Sequence, residues 1–505
     1  MEVLQTGNAS WTARFEIPAQ IRWTFRDVSQ ERLPEDILPF FDAVILEGRI
    51  AEPAAEQIRR LARPYTFFYT DATVLSAPVR RLLVDKRAGH LKQADIPDFL
   101  KMLPQQYYHE QEGAKLPVRQ LKAVHPFDRI LSYDGNRAAV FDMDFGDEYR
   151  QLMFAGYNIP VNLHENRGIE IWPEFSVGDQ VRIQYRFRFF LQGSTDEAVW
   201  SGIVEGDTYR KPLVLRTARK GYMSVQIFVK GSGRAEIGPI HHRSSRLGAG
   251  QFLPGGQRAA ASDRGEVIHY FDPGDCRPPL MVYFSGYRTA EGFEGNMMMR
   301  TFGTPFLLLA DPRLEGGAFY LGEKDYEEKI AAIIDSTLET LGFSPDQMIM
   351  TGLSMGAFGA LYYSCRFHPH AVVLGKPLIN LGQVAANERR LRPGGFPTSL
   401  DVLRMAEGGL EPEHVQRLND RIWRRFDTAD FRDTVFAVAY MKQDDYDGSA
   451  YEDMLRHLEG RQITVVGKGL DGRHNDNTSG IVSWFMSQLT RLLRQDFKRE
   501  VTKNG

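Results

Sequence analysis

The sequence feature that most constrains the fold is the stretch MIMTGLSMGAFGALYYS at residues 348–364. An apolar run leads into the motif Gly-Leu-Ser-Met-Gly centred on Ser354, and a segment rich in small residues follows. A serine on a sharp turn between a strand and a helix needs small residues two positions before and after it, because the turn brings backbones close together. Gly352 and Gly356 meet this requirement. The stretch predicts either a nucleophile elbow or, more simply, a strand end followed by a helix of small residues.

Alternating strand and helix patterns surround this motif from about residue 266 onwards. Predicted strands lie at 280–286, 305–310, 348–352, 436–441 and 463–467. Helical periodicity, clearest at 323–341, separates several of them, and such alternation is typical of a parallel sheet. The predicted fold class is α/β, with an α/β-hydrolase-like catalytic domain over residues 266–505.

The partners that an elbow serine needs follow it in the expected order. Serine is a weak nucleophile at neutral pH and requires a histidine base that is held by a carboxylate. On this fold the acid comes next in the chain and the histidine last. Asp444 lies 90 residues after Ser354 and His474 lies 30 residues after Asp444, each just past an apolar strand. These positions predict a triad of Ser354, Asp444 and His474.

The sequence KQDDYDGSAY leaves the choice of acid open. Asp444, Asp445 and Asp447 all lie there, at the carboxyl end of a predicted strand. The alternative interpretation is a calcium or magnesium loop, but the run lacks the following glutamate and the spacing of an EF-hand. We therefore expect a catalytic carboxylate here and no metal.

Backbone N–H groups are expected to bind the negative charge that develops on the carbonyl oxygen during acyl transfer. One donor is the N–H of Met355, directly after the serine. The other comes from the loop after the strand LMVYFSG, where Gly286 and Tyr287 are the candidates. Each donor of this kind contributes roughly 10²–10³ in rate, so this loop matters as much as the base.

The first half of the chain shows different patterns. Residues 1–125 alternate strand-like and helical runs, which predicts a small α/β domain that we interpret as a scaffold, since it has no phosphate-binding loop or paired catalytic residues. Residues 126–245 carry closely spaced alternating strands, clearest in QVRIQYRFRFF at 180–190, and predict a β-sandwich. The stretch 246–265 is rich in Gly, Ser, Ala and Arg and is expected to be a linker.

Two interpretations of the sandwich stay open. One places Trp172, Trp200 and the arginines of the 180–190 run against a glycan, and the other makes the tryptophans core residues and the arginines a solvated face. His241 and His242 are expected at the edge of the sandwich, because they lack metal-ligand spacing.

Composition excludes several classes of protein. A net charge of −3, with 43% hydrophobic and 25% charged residues, argues against disorder and against nucleic-acid binding. Cys276 and Cys365 are too few for a disulfide framework. The first residues hold no apolar core of signal-peptide length, and no run approaches the roughly 18 residues that would span a bilayer. We therefore expect a cytoplasmic protein whose membrane contact is at most peripheral and made through partners.

Four motifs together resemble a known family: the serine motif, YFSGYR at 283–288, YMKQDDYD at 440–447 and RHNDNT at 473–478. The family is that of accessory secretory (accessory Sec) system proteins that O-acetylate N-acetylglucosamine on serine-rich-repeat adhesins, and the resemblance runs over nearly the whole chain. It implies a cytoplasmic protein of a Gram-positive bacterium. The implied partners are other accessory Sec proteins, the glycosylated adhesin, its glycosyltransferases and a translocation ATPase.

The resemblance also implies roles for individual residues. Ser354 matches the family nucleophile, His474 the base and Asp444 the acid, which looks like a glutamate in some relatives. Because aspartate is one methylene shorter, Asp445 is a credible substitute. The implied activity is an O-acetyltransferase that also takes part in export. It would have no tightly bound cofactor and would use an acetyl donor such as acetyl-CoA as co-substrate.

Two alternatives to this activity stay open: a carboxylesterase or polysaccharide deacylase, and a non-catalytic export scaffold. No motif for the phosphates of acetyl-CoA is present. A patch of arginines is the candidate, although such clusters are more often solvated faces. Its members are Arg389, Arg390, Arg392, Arg424 and Arg425.

Overall fold

A computed structural model describes residues 1–30, 32–34, 37, 40–161, 167–194, 196–217 and 219–500. The described chain forms three sheets in succession along the sequence. The first is parallel, the second antiparallel, and the third parallel apart from two antiparallel strand pairings at one edge. The predicted α/β class with a hydrolase-like parallel sheet in the C-terminal half is confirmed.

The first sheet has a hydrophobic layer on each face, as expected for buried parallel strands. Its strands are β1 (Glu2–Thr6), β2 (Arg22–Arg26), β3 (Ala43–Leu46), β4 (Phe67–Thr70) and β5 (Gly89–Leu91), in the spatial order β2-β1-β3-β4-β5. Its helices are α1 (Glu52–Leu61), α2 (Ala77–Asp85) and α3 (Ile96–Gln106). Val44 and Leu46 pack with α1 and α2, whereas Ala43 and Ile45 pack with α3.

The second sheet has nine strands, and the predicted sandwich takes the form of one bent sheet around a single core. Its strands are β6 (Gly113–Leu116), β7 (Lys122–Ala123), β8 (Ser132–Asp134), β9 (Ala138–Val161), β10 (Gly168–Val177), β11 (Val181–Leu191), β12 (Trp200–Val204), β13 (Leu213–Arg216) and β14 (Gly221–Ser245). In β11 the side chains of Val181, Ile183 and Tyr185 are buried, as the alternation predicts.

The bend lies in β14, which changes neighbours half-way along its length. Its first half pairs with β11 and its second half with β10, and the change occurs around Gly231 and Gly233. Both glycines have positive φ angles, 95° and 126°. A Cβ on Gly231 would lie 1.9 Å from the carbonyl oxygen of Gln180, so glycine is required there.

The segment 246–265 is not the exposed linker that its composition predicts. Phe252 and Leu253 are buried, and residues 257–260 form a strand of the third sheet. Arg246 is fully buried and donates to the carbonyl oxygen of Gln106 at 2.8 Å. Arg264 donates to the carbonyl oxygen of Pro173 at 2.9 Å. The two arginines therefore bond this segment to helix α3, which packs on the first sheet, and to β10 of the second sheet.

Trp172 belongs to the same junction and is not available to a glycan. It is 2% exposed, and its indole N–H donates to the carbonyl oxygen of Arg264 at 3.3 Å. The guanidinium groups of Arg258 and Arg264 lie 4.2 and 3.8 Å from its ring centroid. Trp200 is half-buried and packs against the core of the second sheet. The core interpretation of these tryptophans is the one that the structure supports.

The third sheet has the spatial order β15-β16-β18-β17-β19-β20-β21-β22. Its strands are β15 (Gln257–Ala260), β16 (Glu266–Asp272), β17 (Leu280–Phe284), β18 (Phe306–Ala310), β19 (Met348–Leu353), β20 (Ala371–Gly375), β21 (Val435–Met441) and β22 (Thr464–Leu470). The strands from β17 onwards are parallel, so their carboxyl ends meet along one edge. Open sheets of this kind place ligand sites at that edge.

Helices cover both faces of the third sheet. They are α4 (Asn296–Arg300), α5 (Lys324–Leu341), α6 (Met355–Phe367), α7 (Leu381–Arg390), α8 (Thr398–Glu407), α9 (Pro412–Thr428), α10 (Ala450–Leu458) and α11 (Thr478–Gln495). The consecutive helices α7 to α9 form an insertion between β20 and β21.

A buried ionic cluster joins the second sheet to the third. His241, expected at a sandwich edge, lies instead on β14 between β10 and β6 and is fully buried. Its ring nitrogens lie 2.5 Å from a carboxylate oxygen of Glu291 and 2.7 Å from one of Glu174. Burial lowers the pKa of His241, but these carboxylates raise it more, and the net shift is upward. Arg243 contacts Glu291 and lies 2.7 Å from Glu266 at the start of β16.

We expect Arg243→Met to destabilise the protein strongly. The substitution leaves the carboxylates of Glu266 and Glu291 buried without their main cation, which typically costs about 3–5 kcal/mol. Arg234→Met, in the same strand, is the matched control, because Arg234 is 53% exposed and its pair with Glu236 lies at the surface. The control should change the free energy of unfolding by no more than about 1 kcal/mol. Denaturant unfolding checks both values, and equal small changes would contradict a structural role for the cluster.

Candidate active site

Ser354 lies on a strained turn between β19 and α6. Its backbone has φ 52° and ψ −116°, a region that side chains other than glycine rarely adopt. A Cβ on Gly352 would come within 2.3 Å of the carbonyl carbon of Gly356, and one on Gly356 within 2.0 Å of the carbonyl oxygen of Phe284. The Ser354 N–H donates to the carbonyl oxygen of Gly375 at 2.8 Å. The turn therefore has the geometry of a nucleophile elbow and needs both glycines.

Ser354, His474 and Asp444 form one hydrogen-bonded chain. The Oγ of Ser354 lies 2.8 Å from His474 Nε2, and His474 Nδ1 lies 2.8 Å from Asp444 Oδ2. His474 follows β22 and is 3% exposed, whereas Ser354 is half-buried and open to solvent. With its proton on Nδ1, towards the carboxylate, the imidazole accepts a proton from Ser354 at Nε2.

The environment of Asp444 keeps its carboxylate ionised. Burial raises its pKa, but the hydrogen bond and charge of His474 lower it more, and the net shift is below the ordinary value. The other carboxylate oxygen accepts from the N–H groups of Tyr446 at 2.9 Å and Asp447 at 3.1 Å. An ionised carboxylate fixed on both oxygens can hold the imidazole in one tautomer and stabilise the imidazolium that forms.

The alternative acid, Asp445, contacts a different part of the histidine. Its Oδ1 accepts from the backbone N–H of His474 at 3.1 Å, and its other oxygen lies 3.3 Å from Arg392 Nε. The geometry therefore assigns the imidazole to Asp444 and the backbone of His474 to Asp445. Asp447 accepts from the N–H groups of Ile379 and Asn380, both at 2.7 Å. Its role is to fix the start of the insertion after β20.

The tyrosine between these aspartates packs against the base. The Tyr446 ring meets the His474 imidazole edge-on, with centroids 4.5 Å apart and planes at 87°. The Arg392 guanidinium lies 3.5 Å from the Tyr446 ring centroid. Arg392 is thus the member of the predicted arginine patch that reaches the site.

Other arginines of that patch are paired elsewhere. Arg424 lies 3.2 Å from Asp420, and Arg425 lies 2.8 Å from Glu327. Arg389 donates to the carbonyl oxygen of Leu410 at 3.4 Å. These three arginines and Arg392 therefore do not converge on one anion site in this structure.

Two of the three predicted oxyanion donors are free to act. The N–H groups of Met355 and Tyr287 donate to no acceptor within the described part of the chain. The Gly286 N–H differs, because it donates to the Glu294 carboxylate at 2.6 Å. Met355 and Tyr287 are therefore the donors that can hold a developing oxyanion, and Gly286 instead fixes the loop.

Sequence reasoning missed two charged residues beside the triad. The Glu294 carboxylate lies against the oxyanion loop, and the Lys376 ammonium interacts electrostatically with both Asp444 and Glu294. Burial lowers the pKa of Lys376. Lys376 directly follows β20, so its place at a strand end was a usable signal. Glu294 lies in an irregular loop with no periodic pattern to mark it.

Comparison with known proteins identifies the family. The family model described as "Accessory Sec system GspB-transporter" matches residues 1–499. The chain belongs to this family of accessory Sec system proteins. Membership confirms the accessory Sec resemblance that the motifs predict. In the described part of the chain, no helix combines the length and the apolarity needed to cross a membrane.

The similarity to accessory Sec proteins extends over all three sheets. An accessory Sec system protein of Staphylococcus aureus (strain NCTC 8325 / PS 47) is 37% identical over 515 residues, covering 98% of this chain and 97% of that protein. Its counterpart in Streptococcus gordonii is 34% identical over 507 residues, covering 99% of both. A chain of the Glycosylation Associate Protein (Gap123) complex from Streptococcus agalactiae matches with a TM-score of 0.87 and 35% identity over 99% of both chains.

We expect Asp444→Asn and Asp445→Asn to differ sharply in their effect on ester turnover. Asparagine at 444 removes the charge that orients the imidazole, so kcat for a small acetyl ester should fall by about 10³–10⁴. Asparagine at 445 can still accept from the His474 N–H, and we expect a loss of less than about tenfold. Steady-state kinetics on both variants checks this prediction. A larger loss of kcat in Asp445→Asn than in Asp444→Asn would show that Asp445 is the triad acid.

Proposed function

We propose that this protein is a serine-dependent O-acetyltransferase that acetylates N-acetylglucosamine on a serine-rich-repeat adhesin. The observation that carries the proposal is the solvent-reachable Ser354, bonded to the buried pair of His474 and Asp444, with two unoccupied N–H donors beside it in the described chain. Membership of the accessory Sec family supports a place in that export system. The similarity to a glycosylation-associated protein complex supports a substrate that carries glycans.

The first half-reaction transfers the acetyl group to the enzyme. Ser354 Oγ attacks the carbonyl carbon of an acetyl thioester, with acetyl-CoA as the proposed donor, and His474 Nε2 takes the hydroxyl proton. The N–H groups of Met355 and Tyr287 bind the oxyanion of the tetrahedral intermediate. The carbon–sulfur bond then breaks, and His474 returns the proton to the leaving thiolate. The products are acetyl-Ser354 and a free thiol.

The second half-reaction passes the acetyl group to the sugar. A sugar hydroxyl attacks the acetyl-Ser354 carbonyl while His474 Nε2 takes its proton. Collapse of the intermediate breaks the bond to Ser354 Oγ, which recovers the proton from His474. Attack by water in place of the sugar would release acetate, which is the reaction of a carboxylesterase. The two activities therefore differ in which hydroxyl attacks the acetyl-enzyme, whereas the triad is the same in both.

The proposed partners follow from the family and from the similarity to the Gap123 complex. They are other accessory Sec proteins, the glycosylated adhesin and the translocation ATPase of that system, all met in the cytoplasm. The protein would then act in both modification and export. If the triad were not used in catalysis, the protein would have the export role alone.

The proposal predicts acetyl transfer that depends on Ser354. Wild-type protein mixed with p-nitrophenyl acetate or acetyl-CoA and a peptide bearing N-acetylglucosamine should give an acetylated sugar, detected by mass spectrometry. Ser354→Ala should lower the rate by about 10⁴-fold or more, because the covalent intermediate cannot form. Intact-protein mass spectrometry of acid-quenched samples should find acetyl on Ser354 in the wild type.

Ser336→Ala is the matched control, since Ser336 is an exposed serine on α5. It should retain full transfer. Ester hydrolysis with no acetylated sugar would instead establish the esterase. The absence of both activities and of acetyl-Ser354 in folded wild-type protein would leave the scaffold role.

A further inference from the structure

A cavity of about 300 Å³ lies at the junction of the second and third sheets, beside the oxyanion loop. Tyr287, Glu315 and Thr398 line it from the third-sheet side. Arg119 and Asn136 line it from the second-sheet side. Its volume is at the lower end of the range of small-molecule sites, which suits a single sugar ring.

Two loops connect this cavity to the residues around the nucleophile. The Tyr287 N–H donates to no acceptor within the described chain, and Tyr287 also lines the cavity. The second loop begins at Glu315, and the two glycines that follow it pack on Tyr287 and Met355. A Cβ on Gly316 would lie 2.3 Å from the Tyr287 ring, and one on Gly317 would lie 2.5 Å from Met355 Cε. The wall of the cavity is therefore packed, through these glycines, on the side chains of the two residues that carry the candidate oxyanion donors.

A chain of aromatic contacts also joins the cavity wall to the base. The Tyr287 and Phe396 ring centroids are 5.3 Å apart, and those of Phe396 and Tyr446 are 5.7 Å apart. Tyr446 in turn contacts His474. The Tyr287 ring is packed on Phe396 and Gly316 yet stays 39% exposed, so it is a rigid aromatic surface open to a ligand.

The charges of the cavity fit a neutral polyhydroxylated ring better than a phosphate. The cations in its wall are already bonded to protein oxygens. Arg119 donates to the Gly135 carbonyl at 2.9 Å, Lys115 to the Leu314 carbonyl, and Arg137 to Asp134 and Glu236. The charge of these cations is therefore partly satisfied by the protein, and the wall does not present a cluster of unpaired cations to a phosphate.

Glu315 supplies a group that a sugar would use. Its backbone carbonyl accepts from Thr398 Oγ1 at 2.9 Å, whereas its exposed carboxylate bonds to no donor within the described chain. A free carboxylate accepts hydrogen bonds from neighbouring sugar hydroxyls, and charge-assisted bonds of this kind are the stronger ones. An aromatic face beside it can stack on the C–H face of the ring.

We propose that this cavity binds the acceptor sugar, a neutral N-acetylhexosamine, with its ring on Tyr287 and its hydroxyls on Glu315. The inference rests on the proposed acetyl transfer for its catalytic meaning and names the site that the second half-reaction needs. The sugar, held there, presents a hydroxyl to acetyl-Ser354 and competes with water by proximity.

The test varies Glu315 and measures how the acetyl-enzyme divides between sugar and water. With p-nitrophenyl acetate as donor and a peptide bearing N-acetylglucosamine as acceptor, Glu315→Ala should raise the acceptor KM at least tenfold and lower the ratio of transfer to hydrolysis. Glu315→Gln, which keeps an acceptor oxygen, should recover part of the loss. Glu339→Ala is the matched control, because it removes an exposed charge from the far end of α5. Thermal melting confirms that each variant is folded.

Equilibrium binding separates this inference from the proposed function. The Ser354→Ala protein should bind N-acetylglucosamine by NMR titration, and adding Glu315→Ala should weaken that binding at least tenfold. Binding that depends on Glu315 without any acetyl transfer would support the sugar site and refute the transferase. Transfer with an acceptor KM within twofold of wild type in Glu315→Ala would overturn the sugar site and keep the transferase. A raised KM for the acetyl donor, with the acceptor KM unchanged, would also overturn the sugar site, because it would show that the cavity binds the donor.

Discussion

The site depends on how closely three segments of backbone approach one another at the end of β19. The end of β17, the turn at Ser354 and the start of α6 meet without room for a Cβ at Gly352 or Gly356. The N–H groups of Met355 and Tyr287, which donate to no acceptor within the described chain, lie in the two segments that this contact brings together. The positive φ of Ser354 is held in turn by its bond to Gly375 on the neighbouring strand. The strain at the serine and the close approach of the segments that carry the candidate oxyanion donors therefore have one cause.

Sequence patterns are sufficient where a functional residue comes shortly after the end of a parallel strand. Ser354 directly follows the buried strand β19, and Asp444 and His474 come within four residues of the ends of β21 and of the more exposed β22. Because parallel strands end at a common edge, the convergence of these residues can be predicted from local patterns. Local patterns cannot decide between Asp444 and Asp445, because the direction of each of two adjacent side chains depends on the path of the turn that carries them. That path depends on the N–H groups of Tyr446 and Asp447, which no periodicity reports.

Sequence patterns fail for residues whose environment is made by distant segments. His241 is polar and stands among alternating residues, which predicts an exposed edge, yet its partners Glu174 and Glu291 lie 67 and 50 residues away. Arginines in a glycine-rich stretch likewise predict a solvated linker. Arg246 and Arg264 instead satisfy backbone carbonyl groups of other segments, a use of guanidinium that composition cannot distinguish from solvation.

The short strand β15 has a consequence for how the chain can be divided. It comes before residue 266 in sequence but covers the edge of β16 in the third sheet. A fragment that begins at 266 would expose that edge, and an uncovered strand edge is a template for pairing with another copy of the fragment. The carboxylates of Glu266 and Glu291 would also lose the cations that neutralise them from β14. Roles in modification and in export are therefore better separated by point substitution in the whole chain, since a truncated catalytic half would report on aggregation instead.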